Sequence, residues 1–429
     1  MPLKTYTLRI ESLAMGGKGV ARRPDGKVVF VPQVIPGEVV LVSCAAEHAS
    51  YCEAQLEEIV QAAPSRTAPG CALFETCGGC DWQHIAYPAQ LAFKHELLCQ
   101  ALGKCLPDIA SVLIPPEPAP MTLAYRCHSR LHYRRFPQAM LGFYQKRTHR
   151  VAACAQCPVL NPPSQRALRQ LNDAIRQIPL PGITAVEIYA PLDEVLVLAH
   201  TQNPRPPREM QALKKLMDRI EVSGCHLVHD QTRRLQRLMG HDLFTYRIET
   251  PVKNFRLSGR LGGFIQANQE MNARVVRHVM DLAHDAERVL DLYGGCGNFG
   301  LPLSHAARSV TVVERDPRLA DLGQRNAEAN RIANIRFIAG DVGDALQNRA
   351  RDRFDTVVLD PPREGAKDIL STLSGLRPSK IIYVSCNPMT LARDAGLLHK
   401  SGYRINSLKL FDMFPQTCHI ESVALMEPV

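Results

Sequence analysis

Short apolar strands alternate with helical stretches from about residue 270 onward, and this alternation restricts the possible folds more than any other feature. The apolar runs are RVLDLY, VTVVE, IRFIAGD, DTVVLD, IIYVSC and ESVALM. Strands and helices that alternate in this way form a doubly wound, mainly parallel sheet, which binds its ligands where the carboxyl ends of the strands meet. We therefore predict a Rossmann-like C-terminal domain over residues 256–429.

The rest of the chain has a different pattern. Residues 1–62 hold short β-branched runs, TYTLRI, GKVVFVPQVI and GEVVLVSC, between glycine-rich turns, which predicts a small antiparallel, OB-like barrel. The proline-rich segment APSRTAPG, residues 63–70, follows as a linker. Residues 63–255 mix strands and helices, with a helix expected over 88–103. We predict a multidomain protein that combines an N-terminal barrel, a central α+β domain and a C-terminal α/β domain.

Composition narrows the class of protein. The chain has 429 residues, 45% of them hydrophobic, which is enough for two to three domains with buried cores. No stretch resembles a signal peptide or approaches the roughly 20 apolar residues of a membrane span, so we expect a cytoplasmic protein without a membrane partner. Fourteen cysteines then indicate free thiols with a metal or catalytic use. The net charge of +9 favours a polyanionic partner.

Much of the net positive charge comes from residues 121–150, MTLAYRCHSRLHYRRFPQAMLGFYQKRTHR, which contain seven Arg or Lys and no acid. The alternation within LHYRRF and LGFYQKR predicts a β-hairpin with one charged face. Basic side chains there can neutralise phosphates, and aromatic ones can stack on unpaired bases. The aromatic candidates are Tyr125, Tyr133, Phe136, Phe143 and Tyr144. The alternative is a solvated strand face with core aromatics.

A glycine-rich turn marks a candidate cofactor site. In RVLDLYGGCGNFGLPLS, a strand ending at Tyr293 runs into the turn and then into an apolar helix. Glu314 ends the next strand, about 20 residues beyond the turn, where a carboxylate can accept hydrogen bonds from ribose hydroxyls. This pair suits a nicotinamide and an S-adenosylmethionine cofactor equally well. A turn that only packs helix on sheet is the structural alternative.

Two later motifs place reactive side chains at the same edge. FDTVVLDPPREG puts Asp360 at the end of an apolar strand, and IIYVSCNP puts Cys386 at the end of the next. Buried cysteines are usually inert core residues. The polar neighbours Ser385 and Asn387 and the adjacent Asp-Pro-Pro turn favour a nucleophilic role for Cys386 instead.

A cluster of cysteines predicts a metal centre. Cys71, Cys77 and Cys80 have the spacing C-x5-C-x2-C, and a closed site needs a fourth thiolate. Cys157 is the best candidate, because a Cys-Pro pair also ends the ligand runs of bacterial ferredoxins. Four thiolates suit an iron-sulfur cluster or zinc, and free thiols are the remaining alternative. The cysteines interpreted as structural are Cys44, Cys52, Cys99, Cys105, Cys127, Cys225, Cys296 and Cys418.

Taken together, GGCGNFG, DPPREG, SCNP and DMFPQTCHIESV resemble the RNA uracil-5 methyltransferases, and the resemblance covers nearly the whole chain. It is strongest to the members that methylate a uridine of 23S ribosomal RNA. It implies S-adenosylmethionine as cofactor, an N-terminal TRAM domain, and a 4Fe-4S cluster held by the four cysteines above, with Cys157 rather than Cys154 as the fourth ligand.

The same resemblance implies roles for individual residues. Cys386 adds to carbon-6 of uracil, and Glu421 in HIESV removes the carbon-5 proton. From the residues alone, Glu421 is an ordinary strand-end carboxylate. Asp360 lies between the cofactor and the target base. The implied contacts to S-adenosylmethionine are Gln266, Tyr293, Asn298, Glu314 and Asp341.

Several alternatives share part of this pattern. The same reaction on transfer RNA is the nearest, but members with that substrate generally lack the barrel and the cysteine cluster. A radical S-adenosylmethionine methylthiotransferase uses C-x3-C-x2-C, which this chain does not match. The remaining alternatives are a redox-sensing RNA-binding protein with a degenerate methyltransferase fold and an adenine or cytosine methyltransferase. We expect a monomer without an obligate protein partner.

Overall fold

A computed structural model of the chain describes residues 4–103, 106, 109–348 and 352–429. The strands in these ranges form four sheets. The first sheet has the order β1-β5-β6-β4-β3-β2. Its strands are β1 (Thr5–Arg9), β2 (Ser12–Leu13), β3 (Gly19–Arg22), β4 (Val28–Val31), β5 (Val39–Glu47) and β6 (Tyr51–Gln61). All neighbours are antiparallel except β4 and β6, which run parallel, so the expectation of a wholly antiparallel barrel is wrong at that pair.

A helical segment connects this sheet to the rest of the chain. It contains α1 (Tyr87–Gly103), α2 (Ile109–Val112) and strand β7 (Leu113–Glu117). The expected helix over 88–103 is confirmed by α1. Cys105, which we interpreted as structural, lies outside the described residues. Strand β7 pairs with a strand of the C-terminal sheet, so that sheet includes residues from the predicted central range.

The central sheet has the order β10-β9-β8-β11-β12-β13-β14. Its elements are β8 (His128–Arg134), β9 (Met140–Tyr144), β10 (Val151–Ala153), α3 (Pro162–Gln177), β11 (Ile183–Tyr189), β12 (Leu196–Thr201), α4 (Pro207–Met217), β13 (Gly224–His229) and β14 (Leu235–Gly240). Strands β8 and β9 form the expected basic hairpin. A separate two-stranded sheet follows, made of β15 (Leu243–Glu249) and β16 (Asn254–Arg260).

The C-terminal sheet has the order β19-β18-β17-β20-β21-β23-β22-β7. Its strands are β17 (Arg288–Leu292), β18 (Ser309–Glu314), β19 (Ile335–Ala339), β20 (Thr356–Leu359), β21 (Lys380–Ser385), β22 (Tyr403–Phe411) and β23 (Glu421–Pro428). The helices are α5 (Gln269–Leu282), α6 (Gly300–Leu303), α7 (Pro317–Ala329), α8 (Val342–Gln347), α9 (Leu370–Gly375) and α10 (Pro388–Lys400), with a 3-10 turn at Lys367–Ile369. Strands β17 to β21 are parallel, as predicted, and β23 is antiparallel to both of its neighbours.

The apolar runs of this sheet are buried on both faces. Along β21, Ile381 belongs to a cluster that includes α1 and α10, and Ile382 belongs to a second cluster with α5 and β15. Burial on both faces explains why these strands are continuously apolar and do not alternate with polar residues. No helix in the described ranges has the length and apolarity that a membrane crossing requires.

One buried ion pair connects α1 to the C-terminal sheet. Lys94 donates a hydrogen bond to Asp412 at 2.6 Å, and both side chains are fully buried. The ammonium also donates to the carbonyl of Phe414 at 2.9 Å. Burial lowers the pKa of Lys94, and the Asp412 carboxylate opposes this shift. The pair therefore holds the loop after β22 against the helix.

We expect Asp412→Ala to destabilise the fold by about 3–5 kcal/mol, because it leaves the Lys94 ammonium buried without a carboxylate. The double variant Lys94→Met with Asp412→Leu should lose much less, since no charge remains inside. Urea unfolding, monitored through the fluorescence of Trp82, gives the free energy of unfolding of both variants. Trp82 is the one tryptophan of the chain. Equal losses in the single and double variants would contradict this account of the pair.

Candidate active site

Side chains singled out from the sequence come together at one edge of the C-terminal sheet. Each parallel strand contributes one: Tyr293 after β17, Glu314 in β18, Asp341 after β19, Asp360 after β20 and Cys386 after β21. Because these strands are parallel, their carboxyl ends lie at the same edge, where α/β sheets bind ligands.

The glycine-rich turn and Glu314 form one hydrogen-bonded unit. The backbone N–H of Gly295 donates to Oε2 of Glu314 at 3.0 Å, and that of Asp316 donates to Oε1 at 2.8 Å. A Cβ at Gly294 would lie 2.4 Å from Val312 Cγ1, so the turn can pass this close to the sheet only with glycine there. Open space surrounds the position of a Cβ at Gly295. The side of the turn that faces the sheet is thus fixed, and its outer side leaves room for a cofactor.

Asp291 is a site residue that sequence reasoning missed. It lies in β17 beneath the turn, is fully buried, and accepts a hydrogen bond from the N–H of Gly300 at 2.8 Å. Its other oxygen, Oδ1, is buried without a hydrogen-bond partner among the described residues. Burial raises the pKa of Asp291 to about 8, so the carboxyl is mostly neutral at pH 7. In the sequence, an acidic residue inside the apolar run RVLDLY could have pointed to Asp291.

The remaining predicted cofactor contacts have local structural partners. Asn298 exchanges two hydrogen bonds with Asn272 of α5, at 2.8 and 3.1 Å. Asp341 caps the N-terminus of α8 by accepting the N–H of Gly343 at 2.8 Å. Gln266 lies just before α5. These contacts orient the Asn298 and Asp341 side chains at the rim of the sheet edge.

The antiparallel strand β23 brings Glu421 to Cys386. Ser385 pairs with Ser422 in the β21–β23 ladder, so Cys386 and Glu421 occupy the next position along the two strands. Glu421 is 4% exposed, whereas Cys386 is partly exposed. A buried acid therefore lies beside an accessible thiol, a proximity that sequence spacing did not reveal.

The charges at this edge act on each other. Burial is the main cause that raises the pKa of Cys386 to about 11, and the negative charges of Glu421 and Asp360 add to it. Burial and Asp360 raise the pKa of Glu421 well above its usual value, and burial raises that of Asp360 to about 7. The Arg363 guanidinium opposes the shifts of Cys386 and Glu421. Two neighbouring carboxyls, Glu421 buried and Asp360 partly buried, resist simultaneous ionisation, so the pair can accept a proton near neutral pH.

The predicted metal ligands lie on two loops that meet beside the basic hairpin. Cys71, Cys77 and Cys80 precede α1, and Cys157 lies between β10 and α3. Burial is the main cause that raises the pKa of the Cys77 and Cys80 thiols, and their cysteine neighbours, including Cys157, contribute. A hydrogen bond from Cys154 lowers the pKa of Cys157 to about 7. The four thiols are thus within electrostatic reach of one another.

In the described part of the chain, no three of these sulfurs lie within 4.8 Å of one another. A tetrahedral zinc with Zn–S near 2.3 Å would hold its sulfurs about 3.8 Å apart. Among the described residues, the one group of three candidate ligands whose atoms all lie within 4.8 Å of one another is Cys44, Glu47 and Cys52. Glu47 there forms ion pairs with Arg23 at 3.1 Å and Lys27 at 2.5 Å, which disfavours a bound cation.

A cavity whose described lining does not include Cys386 lies elsewhere in the structure. It has a volume of about 970 Å³ and opens between the N-terminal sheet, the cysteine loop and the basic hairpin. The side chains that give it positive charge are Lys18, Arg130, Lys146 and Arg147. Asp81 also lines the cavity, and Lys18 and Arg147 form ion pairs with Glu53 at 3.1 and 3.5 Å. The positive charge that is left suits a polyanion, so we interpret the cavity as a binding groove separate from the reactive edge.

The aromatic residues of the hairpin divide into exposed and buried ones. Phe136 is 72% exposed, and Tyr144 stacks on His132 with ring centroids 3.6 Å apart. Tyr125 is 7% exposed and donates its hydroxyl to the carbonyl of Pro415, so its predicted stacking on bases is wrong. Tyr133 and Phe143 pack against the central core. Strand alternation could not identify which aromatic rings the neighbouring loops cover.

Removing one carboxylate should make Cys386 more acidic. We expect Glu421→Gln and Asp360→Asn each to lower the pKa of the thiol by about 0.5 to 1, because a repelling negative charge is lost, which gives about three- to tenfold more thiolate at a given pH. The thiolate fraction of Cys386 is measured from its rate of alkylation by iodoacetamide between pH 7 and 10, followed at this site by mass spectrometry. Glu364→Gln, at an exposed acid nearby, is the matched control. Unchanged alkylation of Cys386 in both variants would contradict the electrostatic account.

Comparison with known proteins identifies relatives along the whole chain. The chain is 35% identical to the 23S rRNA (uracil(1939)-C(5))-methyltransferase RlmD of Alkalilimnicola ehrlichii, over 100% of this chain and 97% of that protein. It is 34% identical to the protein of the same name from Pseudomonas putida, over 99% of this chain and 94% of the relative.

A solved structure and a family model agree with these relatives. The tRNA (uracil-54, C5)-methyltransferase of Pyrococcus abyssi, solved with S-adenosyl-L-homocysteine, superposes with a TM-score of 0.79 over 98% of this chain and 99% of that one. At 24% identity this likeness shows the fold alone. The model of the tRNA (Uracil-5-)-methyltransferase family matches residues 195–429, more than half of the chain. The chain therefore belongs to the (uracil-5-)-methyltransferase family.

Proposed function

We propose that this methyltransferase transfers a methyl group from S-adenosylmethionine to carbon-5 of a uridine in 23S ribosomal RNA, giving 5-methyluridine. The observation that carries the proposal is the position of Cys386 beside buried Glu421 at the edge that also bears the glycine-rich turn. A nucleophile and a base side by side are what this reaction needs. The names of the relatives supply the substrate.

The chemistry explains the need for a thiol. Carbon-5 of uracil is too weakly nucleophilic to take a methyl group unaided. The Cys386 thiolate forms a bond to carbon-6, and the electron pair that this displaces makes carbon-5 a nucleophile. S-adenosylmethionine supplies the methyl group as an activated sulfonium. Glu421 then takes the proton from carbon-5, the double bond reforms, and the Cys386 thiolate leaves.

The carboxyl pair can manage both proton transfers. The thiol of Cys386 is largely protonated in the free enzyme, because burial and two carboxylates raise its pKa. Burial raises the pKa of Asp360 to about 7, and burial and Asp360 raise that of Glu421, so the pair can accept one proton at a time near neutral pH. Approach of the target base to these groups requires the uridine to leave its stack or to lie in an unpaired loop.

The residues of the sheet edge fit S-adenosylmethionine. Glu314 presents a carboxylate fixed by two backbone N–H groups, and the turn beside it leaves open space at Gly295. Asp291 keeps a buried oxygen beneath the turn that has no hydrogen-bond partner in the described part of the chain. We propose that the cofactor is held by Gln266, Tyr293, Asn298, Glu314 and Asp341, with Asp360 between the cofactor and the base.

We also propose a 4Fe-4S cluster on Cys71, Cys77, Cys80 and Cys157. The donor set of four thiols within electrostatic reach of one another favours it. Lys146 gives further support, because its buried Nζ has no hydrogen-bond partner among the described residues while Cys77 and Cys80 lie within electrostatic reach. Its charge would balance an anionic cluster.

Transfer RNA is the second candidate substrate. The name of the matching family and that of the Pyrococcus abyssi protein favour it, but that protein is less similar in sequence than the ribosomal RNA enzymes. The redox-sensor alternative is disfavoured because Cys386 and Glu421 are intact and adjacent. The division into a TRAM domain (1–62), a central domain (63–255) and a methyltransferase domain (256–429), the monomeric state and a cytoplasmic location stay predictions.

Covalent trapping tests the nucleophile. RNA transcribed with 5-fluorouridine should form a stable adduct with the enzyme in the presence of S-adenosylmethionine, because fluorine at carbon-5 cannot leave as a proton. Cys386→Ala should abolish this adduct, whereas Cys99→Ala, a control at a partly exposed cysteine of α1, should still form it. Denaturing gels and mass spectrometry detect the product. An adduct that persists in Cys386→Ala would exclude this nucleophile.

Iron content tests the cluster. Enzyme purified without oxygen should be brown, with broad visible absorption that fades on oxidation and weakens in Cys157→Ala but not in Cys225→Ala, at a buried cysteine elsewhere. Metal analysis should find iron and acid-labile sulfide. Colourless protein with stoichiometric zinc would overturn the iron-sulfur proposal.

A further inference from the structure

The loop that leads into Glu421, residues 412–420, is held by an earlier part of the chain. Three consecutive carbonyls of this loop accept hydrogen bonds from residues 81–125. The carbonyl of Phe414 accepts from Lys94 at 2.9 Å, and that of Pro415 accepts from Tyr125 at 3.1 Å. The third carbonyl belongs to Gln416, which makes the largest number of these contacts.

Gln416 is bound through both its backbone and its side chain. Its carbonyl accepts from the N–H groups of Asp81 and Trp82, each at 3.0 Å. Its N–H donates to Oε1 of Gln90 at 2.9 Å, and its own Oε1 accepts from Nε2 of Gln90 at 3.0 Å. Gln90 and Trp82 are 1% and 0% exposed, so these bonds are shielded from water. Gln416 also has φ of +68°, a conformation that glutamine seldom adopts without such contacts.

Cys386 has separate supports. It follows β21 directly, and the next residue, Asn387, caps α10 by accepting the N–H of Met389 at 3.1 Å. Asn387 also donates to the carbonyl of Arg363 at 3.1 Å. The nucleophile therefore depends on α10 and the Asp-Pro-Pro turn, while Glu421 depends on the pairing of β23 and on the loop that contains Gln416.

We propose that Gln416 is a positioning residue that, through Gln90 and the Asp81–Trp82 backbone, sets the place of Glu421 and so controls removal of the carbon-5 proton. This inference rests on the proposed function. Because Asp81 directly follows Cys80, the same contact connects the cysteine loop to the catalytic edge. The cysteine loop thus has a role in the release step as well as in the shape of the RNA groove.

Two variants separate positioning from folding. Gln416→Gly deletes the side chain while keeping a residue suited to positive φ, and Gln90→Leu removes the partner from the other side. Gln100→Leu, at an exposed glutamine on the same helix, is the matched control. The holoenzyme is used throughout, with thermal unfolding recorded for each variant.

Two rates distinguish adduct formation from removal of the carbon-5 proton. Adduct formation on 5-fluorouridine RNA requires Cys386 and methyl transfer but not proton removal, whereas turnover on 23S RNA from a strain lacking the gene requires both. We expect both variants to lower turnover about tenfold or more while adduct formation stays within about twofold of wild type. Covalent enzyme should then accumulate on the unmodified RNA, because the thiolate leaves only after the carbon-5 proton has been removed. Hydrogen exchange of the peptide covering 412–421 should be faster than in Gln100→Leu.

Other outcomes are distinguishable. Equal losses in the two rates would indicate a general structural role, and unchanged turnover would show that Glu421 does not depend on Gln416; either result overturns the inference alone. Failure of the wild-type enzyme to form any adduct with 5-fluorouridine RNA would overturn the proposed function and this inference together.

Discussion

The antiparallel pairing of β21 with β23 is the contact on which the candidate active site depends. A parallel strand in that position would begin at the opposite edge of the sheet, far from Cys386. Because β23 runs the other way, its first residue, Glu421, lies where the parallel strands end. One reversed strand thus adds a buried acid to an edge that otherwise carries the cofactor turn and the thiol.

The local sequence pattern predicted the positions of strands and helices better than it predicted which distant segments contact each other. Continuous apolar runs identified the parallel strands, and their carboxyl ends located Asp360 and Cys386, because both properties depend on neighbouring residues. Sequence spacing missed the proximity of Cys386 and Glu421 and the parallel contact of β4 with β6, because each of these contacts joins segments that are not adjacent in the sequence. Burial of Tyr125 likewise follows from its bond to Pro415, nearly three hundred residues further along the chain.

The segment from the cysteine loop to α1 acts as a bridge between the groove and the reactive edge. On one side, the N–H of Gly78 donates to the carbonyl of Tyr144 in the basic hairpin at 2.8 Å. On the other side, Asp81 and Trp82 bind Gln416 in the loop before Glu421. A group bound by the cysteines would stabilise this segment and so support both RNA contact and the alignment of the base. The buried pair of Lys94 and Asp412 anchors the same region from α1.

Mapping of 5-methyluridine by mass spectrometry, in separately purified ribosomal and transfer RNA from a strain that lacks the gene, tests the central claim most directly. We predict loss of the modification at a single uridine of 23S RNA, restored by the wild-type gene but not by one encoding Cys386→Ala. Loss from transfer RNA alone would contradict the proposed substrate, and no loss from either RNA would contradict the proposed reaction.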